Sequence, residues 1–178
     1  MGFPLSPLIR YTIQALYWAL VLPLPMLLSR QADPVWVGSL LVALLIGWGL
    51  LLGSLSQQVN VDDQGMRATY PAWVPAFLRQ EWQVQWSDVE RIEPRSTSQG
   101  GVVYYWVTQA GDCVLLPMRV AGFKRLLAEV QRHTGIQVDS LRPYVQPWMY
   151  ALLGFFALLL LAWDGVIALL VWTSPATL

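Results

Sequence analysis

The sequence predicts a membrane protein of three α-helical spans with one small β-rich domain, and three observations carry that reading. The first is composition: 12% of the 178 residues are charged and 56% are hydrophobic, against about a quarter charged in ordinary soluble chains. The second is where charge is missing. None falls between Arg10 and Arg30, none between Asp33 and Asp62, and only Asp164 follows Arg142. The third is the polar middle, Gln57 to Arg142, where apolar residues recur at the period of strands rather than of helices.

Composition also sets aside several classes of function. A mean hydropathy of +0.46 is foreign to a disordered chain. With 11 Lys+Arg against 11 Asp+Glu, bulk basicity cannot hold a nucleic acid. One Cys allows no disulfide framework, and one Cys with one His allows no zinc site of the usual ligands. No nucleic acid, metal or cofactor is therefore expected.

A spanning helix needs roughly 20 apolar residues to cross a hydrocarbon core about 30 Å thick. Residues 11–28 come close to that length, with Pro23 and Pro25 predicting a kink in the second half. A cleaved signal is the rival, but the chain after Leu28 reads Ser29-Arg30-Gln31-Ala32, without a small-x-small site. Residues 35–55 supply the second span, and the short turn Ser29 to Pro34 predicts an antiparallel hairpin. Residues 147–172 supply the third. The expected domains are thus 1–55, 56–142 and 143–178.

Tyr11, Tyr17, Trp18, Trp36, Trp148, Tyr150 and Trp172 cluster toward span ends and read as anchors at the headgroup level. Most of the basic residues lie in the middle segment, which the positive-inside rule places in the cytoplasm.

In the middle segment Gln57 to Val61 alternates polar and apolar, Asp62-Asp63-Gln64-Gly65 is a turn by composition, and Met66 to Tyr70 resumes a strand. Pro71-Ala72-Trp73-Val74-Pro75 breaks the pairing. Gln80 to Trp86 places Trp82, Val84 and Trp86 on one face. Val89 to Ile92 is another strand, Ser96 to Gly101 a hairpin loop, and Val102 to Gln109 with Cys113 to Leu116 a strand pair. Phe123, Leu126, Leu127 and Val130 then recur at helical spacing, with Gly135 where a C-terminal cap belongs. Six or seven strands closed by a helix imply a curved antiparallel sheet or partial barrel.

These motifs resemble a known pattern. The turn Asp62-Asp63-Gln64-Gly65-Met66, the stretch Trp86-Ser87-Asp88-Val89-Glu90-Arg91-Ile92, the strand end Leu115-Leu116-Pro117 and the closing helix look like the bacterial pleckstrin-homology-like domains of membrane-anchored proteins. The resemblance covers roughly Val59 to Val138. A weaker one, to the photosystem I assembly factor family of cyanobacteria and chloroplasts, rests on the hydrophobic hairpin, the Asp-apolar strand entry and the segment Gly135 to Asp139. The chain departs from that family in reading Pro71-Ala72-Trp73-Val74-Pro75 where a basic loop belongs, and in its third span.

Catalytic groupings are sparse. His133 reads as a solvated residue near a helix C-terminus, and Cys113 as a small core residue. Glu90 and Glu93, three apart in a strand, should point to opposite faces, with Arg91 and Arg95 making a salt-laced surface. Gly100-Gly101 lacks the Lys and Thr of a phosphate loop. Asp164 stands out, because ionisable groups within spans are costly. Contact with another helix, the true end of the span, and proton or ion handling are its open readings. Gly49 and Gly53 form a small-xxx-small pair suited to close helix contact. Arg79, Arg91 and Arg95, with Lys124, Arg125 and Arg132, are candidates for an interaction surface, though interspersed acids argue against a single-sign patch.

The expected function is non-catalytic: a membrane-anchored scaffold or assembly factor that meets membrane lipids and docks a membrane protein complex. The weaker resemblance implies a photosynthetic complex and a thylakoid location. The alternative is a sensor of lipid or a small ligand using the β-rich domain.

Overall fold

The computed structural model describes residues 1–29, 33–96, 102–138 and 147–173. In chain order the elements are β1 (Gly2–Pro4), α1 (Pro7–Val21), α2 (Pro23–Leu28), α3 (Pro34–Ser54), β2 (Gln58–Val61), β3 (Gly65–Thr69), β4 (Trp82–Gln85), β5 (Val89–Ser96), β6 (Val102–Thr108), β7 (Cys113–Leu115), α4 (Phe123–Thr134) and α5 (Pro147–Thr173). They gather into two compact units, Leu8–Leu52 with Pro147–Leu178, and Met1–Pro7 with Gly53–Gln146.

Among the described residues three helical stretches are long and apolar enough to cross a membrane: Pro7–Leu28, Pro34–Ser54 and Trp148–Leu170. Proline has no N–H to donate to a preceding turn, so α1 stops at Val21 and α2 restarts at Pro23, the interruption the two prolines predict. Tyr17 and Trp18 are not the interfacial anchors expected of them. The Tyr17 hydroxyl donates to the Leu44 carbonyl at 2.6 Å, in the middle of α3, and the Trp18 ring packs 5.6 Å from that of Trp48. Tyr11, Trp36 and Trp148 do stay exposed, while the Trp172 side chain and the turn residues 30–32 lie outside the described residues.

Among the described residues the β-unit forms two antiparallel sheets, one ordered β1-β2-β3-β4 and the other β5-β6-β7, and no closed barrel, rather than the single curved sheet expected. The sequence reading missed β1. Phe3 pairs with Val59 and is buried, while the next residues turn to the other side of the unit: Leu5 bridges Val120, Ser6 N–H donates to Arg119 at 2.9 Å, and Ala121 N–H donates to Pro4 at 2.7 Å. The expected Asp-Gly turn forms. One Asp62 carboxylate oxygen accepts the Gln64 and Gly65 N–H groups. Gly65 must be glycine, since a Cβ there would stand 2.2 Å from the Val84 carbonyl oxygen.

Trp106, fully buried, anchors the core between the sheets and α4. All four apolar positions of α4, Phe123, Leu126, Leu127 and Val130, point into it, and Gly135 caps the helix at φ +70° with its N–H on Gln131. The loop 97–101 lies outside the described residues.

Candidate functional site

In the helical unit, Tyr150, Gly154, Ala157, Leu161 and Asp164 recur at alternating steps of four and three, one stripe along α5. The stripe packs inward. Thr12 donates to the Tyr150 carbonyl at 3.3 Å, and a Cβ on Gly154 would lie 3.3 Å from the Thr12 hydroxyl. Ala157 is fully buried. Asp164 ends the stripe at 6% exposure, and its Oδ2 has no hydrogen-bond partner among the described residues. The helix runs on to Thr173, so Asp164 is not its end. Its neighbour Trp163, on the outer face, is 63% exposed.

Against α5 packs α2, whose Pro23 and Pro25 leave the Ala19 and Val21 carbonyls without the donors of a continuous helix. An unpaired buried polar atom costs about 1–3 kcal/mol. Asp164 is thus an open hydrogen-bonding position that faces the interior of its own bundle.

The expected glycine pair divides. Nothing lies within 4 Å of a Cβ built on Gly49, whereas one on Gly53 would meet Val74 at 3.4 Å and both Leu78 and Trp73 at 3.6 Å. Gly53 therefore serves the chain's own β-unit.

The three arginines expected at a surface are already engaged. Arg79 donates through Nε to the Val74 carbonyl at 2.8 Å and through Nη2 to that of Ala72 at 2.7 Å. Arg91 reaches Glu93 at 2.7 Å and Glu90 at 2.7 Å. The Glu93 hydrogen bond, with Glu90 beside it, raises the Arg91 guanidinium above its ordinary pKa. Arg95 lies 5.0 Å over the Tyr105 ring, 3.7 Å from Glu93 and 3.4 Å from Cys113 Sγ. Arg91 and Arg95 thus share Glu93, and no hydrogen bond or ion pair joins Arg79 to them among the described residues.

Four side chains stand differently from the sequence reading. Glu90 and Glu93 do not diverge; a bulge between Val89 and Arg91 breaks strict alternation, and both carboxylates close on one guanidinium. Cys113 is exposed rather than in the core, because the register sets Val114 opposite Trp106 and turns Cys113 and Leu115 outward. His133 is partly covered rather than fully solvated. Its ring stacks on Trp86 at 5.3 Å with an interplanar angle of 1°, and Nε2 lies 3.8 Å from Glu129. Trp86 in turn donates to the Asp62 carbonyl at 2.9 Å, so the helix end is tied to the first turn of the β-unit. Sequence periodicity carries no signal for that stack.

A cleft of about 400 Å³ opens beside β4, lined by Gln83, Val84, Asp88, Thr108, Gln109, Ala110, Asp112 and Val114. Among the described residues β4 pairs only with β3, and β7 only with β6, so the cleft lies at the end strands of both sheets. Its wall is held by backbone hydrogen bonds from Gln109 to Asp88 at 2.9 Å and from Thr108 to Asp112 at 3.0 Å. No group of three or more metal-binding side chains occurs among the described residues. The cleft offers strand edges unpaired among the described residues, two carboxylates and two amides. Such a surface suits recognition of an extended segment.

No family model matches the chain, and no solved structure does. A protein of Synechocystis sp. that carries the description "Uncharacterized protein slr0269" is 47% identical over 175 residues, covering 97% of this chain and 88% of that protein.

Proposed function

The chain belongs to the family of that cyanobacterial protein, and from that premise we propose that it is a membrane-anchored docking protein, a non-catalytic scaffold or assembly factor for a membrane protein complex. In this reading α1–α2, α3 and α5 cross the bilayer, the β-unit lies on the cytoplasmic side, and that unit is of pleckstrin-homology-like type. The four-plus-three strand arrangement with a closing helix supports the last point. The cyanobacterial relative is compatible with a photosynthetic complex as the partner and a thylakoid location.

The observation that carries the reading is the edge of β4 on a polar cleft, unpaired among the described residues. A partner segment can add to that edge through main-chain hydrogen bonds, with Asp88 and Asp112 placed to meet basic side chains. The lipid-sensing alternative finds less support. Its basic candidates Arg79, Arg91 and Arg95 are committed to carbonyls, carboxylates and a ring within the β-unit.

A photocrosslinking residue at Gln83 of the full chain, activated in native membranes, tests the proposal. The expected result is a discrete adduct with a membrane protein, absent when the same residue replaces Lys124 on the exposed face of α4. Equal adduct patterns from both positions would overturn it.

A further inference from the structure

The segment Pro71 to Arg79 carries Trp73 at 59% and Phe77 at 76% exposure, the two exposed large aromatic side chains among the described residues of the β-unit. The segment is stiff. Pro71 and Pro75 fix two backbone angles, Val74 N–H donates to Pro71 at 3.1 Å, and Leu78 N–H donates to Pro75 at 3.0 Å. Its single charge is Arg79, whose guanidinium is held by the Val74 and Ala72 carbonyls. The outward surface is therefore aromatic and alanine side chains on a fixed turn, a patch that water solvates poorly.

What covers it follows from where the segment sits. Val74, only 1% exposed, and the inner edge of Trp73 pack against Gly53 in the last turn of α3. In a chain whose α3 crosses the bilayer, that turn lies at the level of the headgroups, and the segment packed on it lies there too. Rings at this depth place their apolar bodies among the upper acyl carbons.

We propose that Pro71–Arg79 is a membrane-seated wedge, with Trp73 and Phe77 inserted into the headgroup–acyl boundary beside the end of α3. The inference rests on the membrane-spanning reading of α3. The wedge fixes the β-unit against the lipid surface through a second contact besides the covalent connections. It recognises the lipid surface by its apolar boundary rather than by headgroup charge, in keeping with an arginine turned inward.

The test uses the full chain with Cys113→Ser, reconstituted in vesicles of phosphatidylcholine and phosphatidylglycerol. A fluorophore is attached in turn at Phe77→Cys, at Leu115→Cys on the exposed face of β7, and at Leu45→Cys within α3. Quenching is read from iodide in the water and from spin-labelled lipid. The proposal expects position 77 to be quenched by the lipid label and sheltered from iodide, as position 45 is, while position 115 shows the reverse. Iodide quenching at 77 equal to that at 115, or shelter from both quenchers, would overturn the wedge while position 45 still reports lipid. Failure of the lipid label to reach position 45 would overturn the spanning reading, and the wedge with it.

Discussion

The helical unit and the β-unit distribute polarity in opposite senses. In the β-unit the core is Trp106, Leu116, Leu126 and their neighbours, and large apolar side chains reach the surface only at Met1, Trp73, Phe77, Val102 and Leu115 among the described residues. In the helical unit the outward surface is Leu, Val, Phe and Trp, and the two buried polar residues among those described, Thr12 and Asp164, both lie within it. One chain thus contains one unit built around a buried apolar core and another whose helices are long and apolar enough to cross a membrane. A water-sorted fold gains from burying apolar area, whereas helices in lipid gain from close packing and polar contacts. The same substitution should therefore have different consequences in the two units.

The largest effect is expected in the water-sorted core. Trp106→Ala removes a fully buried ring and should cost about 3–5 kcal/mol, enough to make the β-unit a substrate for limited proteolysis while the helical stretches stay protected. Simultaneous cleavage of both would show that the units do not hold their structures separately. Next is Gly65→Ala. Its Cβ would press 2.2 Å from a backbone oxygen that no rotamer can move, so a loss at the upper end of about 1–3 kcal/mol is expected, read as a lower thermal midpoint of the β-unit.

The helical unit should answer in the other direction. Asp164→Leu removes a buried oxygen without a partner among the described residues and should leave thermal stability in detergent unchanged or raised, recovering part of the roughly 1–3 kcal/mol such an atom costs. A clear drop would mean that Asp164 forms a bond on which the bundle depends. The smallest effect belongs to Arg91→Ala, because the side chains it joins are largely exposed and screened. The sign of its pH dependence follows from its raised pKa. Whatever it stabilises is fully present below the ordinary guanidinium value and is lost only as pH rises through the higher folded one. Thermal midpoints of parent and variant should therefore keep a constant small offset through neutral pH.

Most of the fold could be read from the chain because its two periodicities are clean. Charge-free stretches mark the helices, and alternation with an Asp-Gly turn marks β2 and β3. The amphipathic spacing of Phe123, Leu126, Leu127 and Val130 marks α4 to within a residue. β1 escaped because three residues carry no period, although Phe3 and Leu5 share the spacing of strands. Cys113 was misplaced because a three-residue strand fixes its parity by register with β6 and not by its own composition. The cleft and the Trp86–His133 stack are products of tertiary pairing, in which residues distant in sequence meet. Arg79 looked like surface charge; its two carbonyl acceptors lie in the same loop, and only the turn geometry brings them within reach.

The comparison rests on the claim that hydrocarbon, not water, surrounds the helical unit. Washing membranes from cells expressing the full chain with alkaline carbonate tests it most directly. The account predicts that the chain stays with the membrane pellet, and that Trp106→Ala, which opens only the β-unit, stays there as well. Release of the parent chain into the supernatant would contradict it.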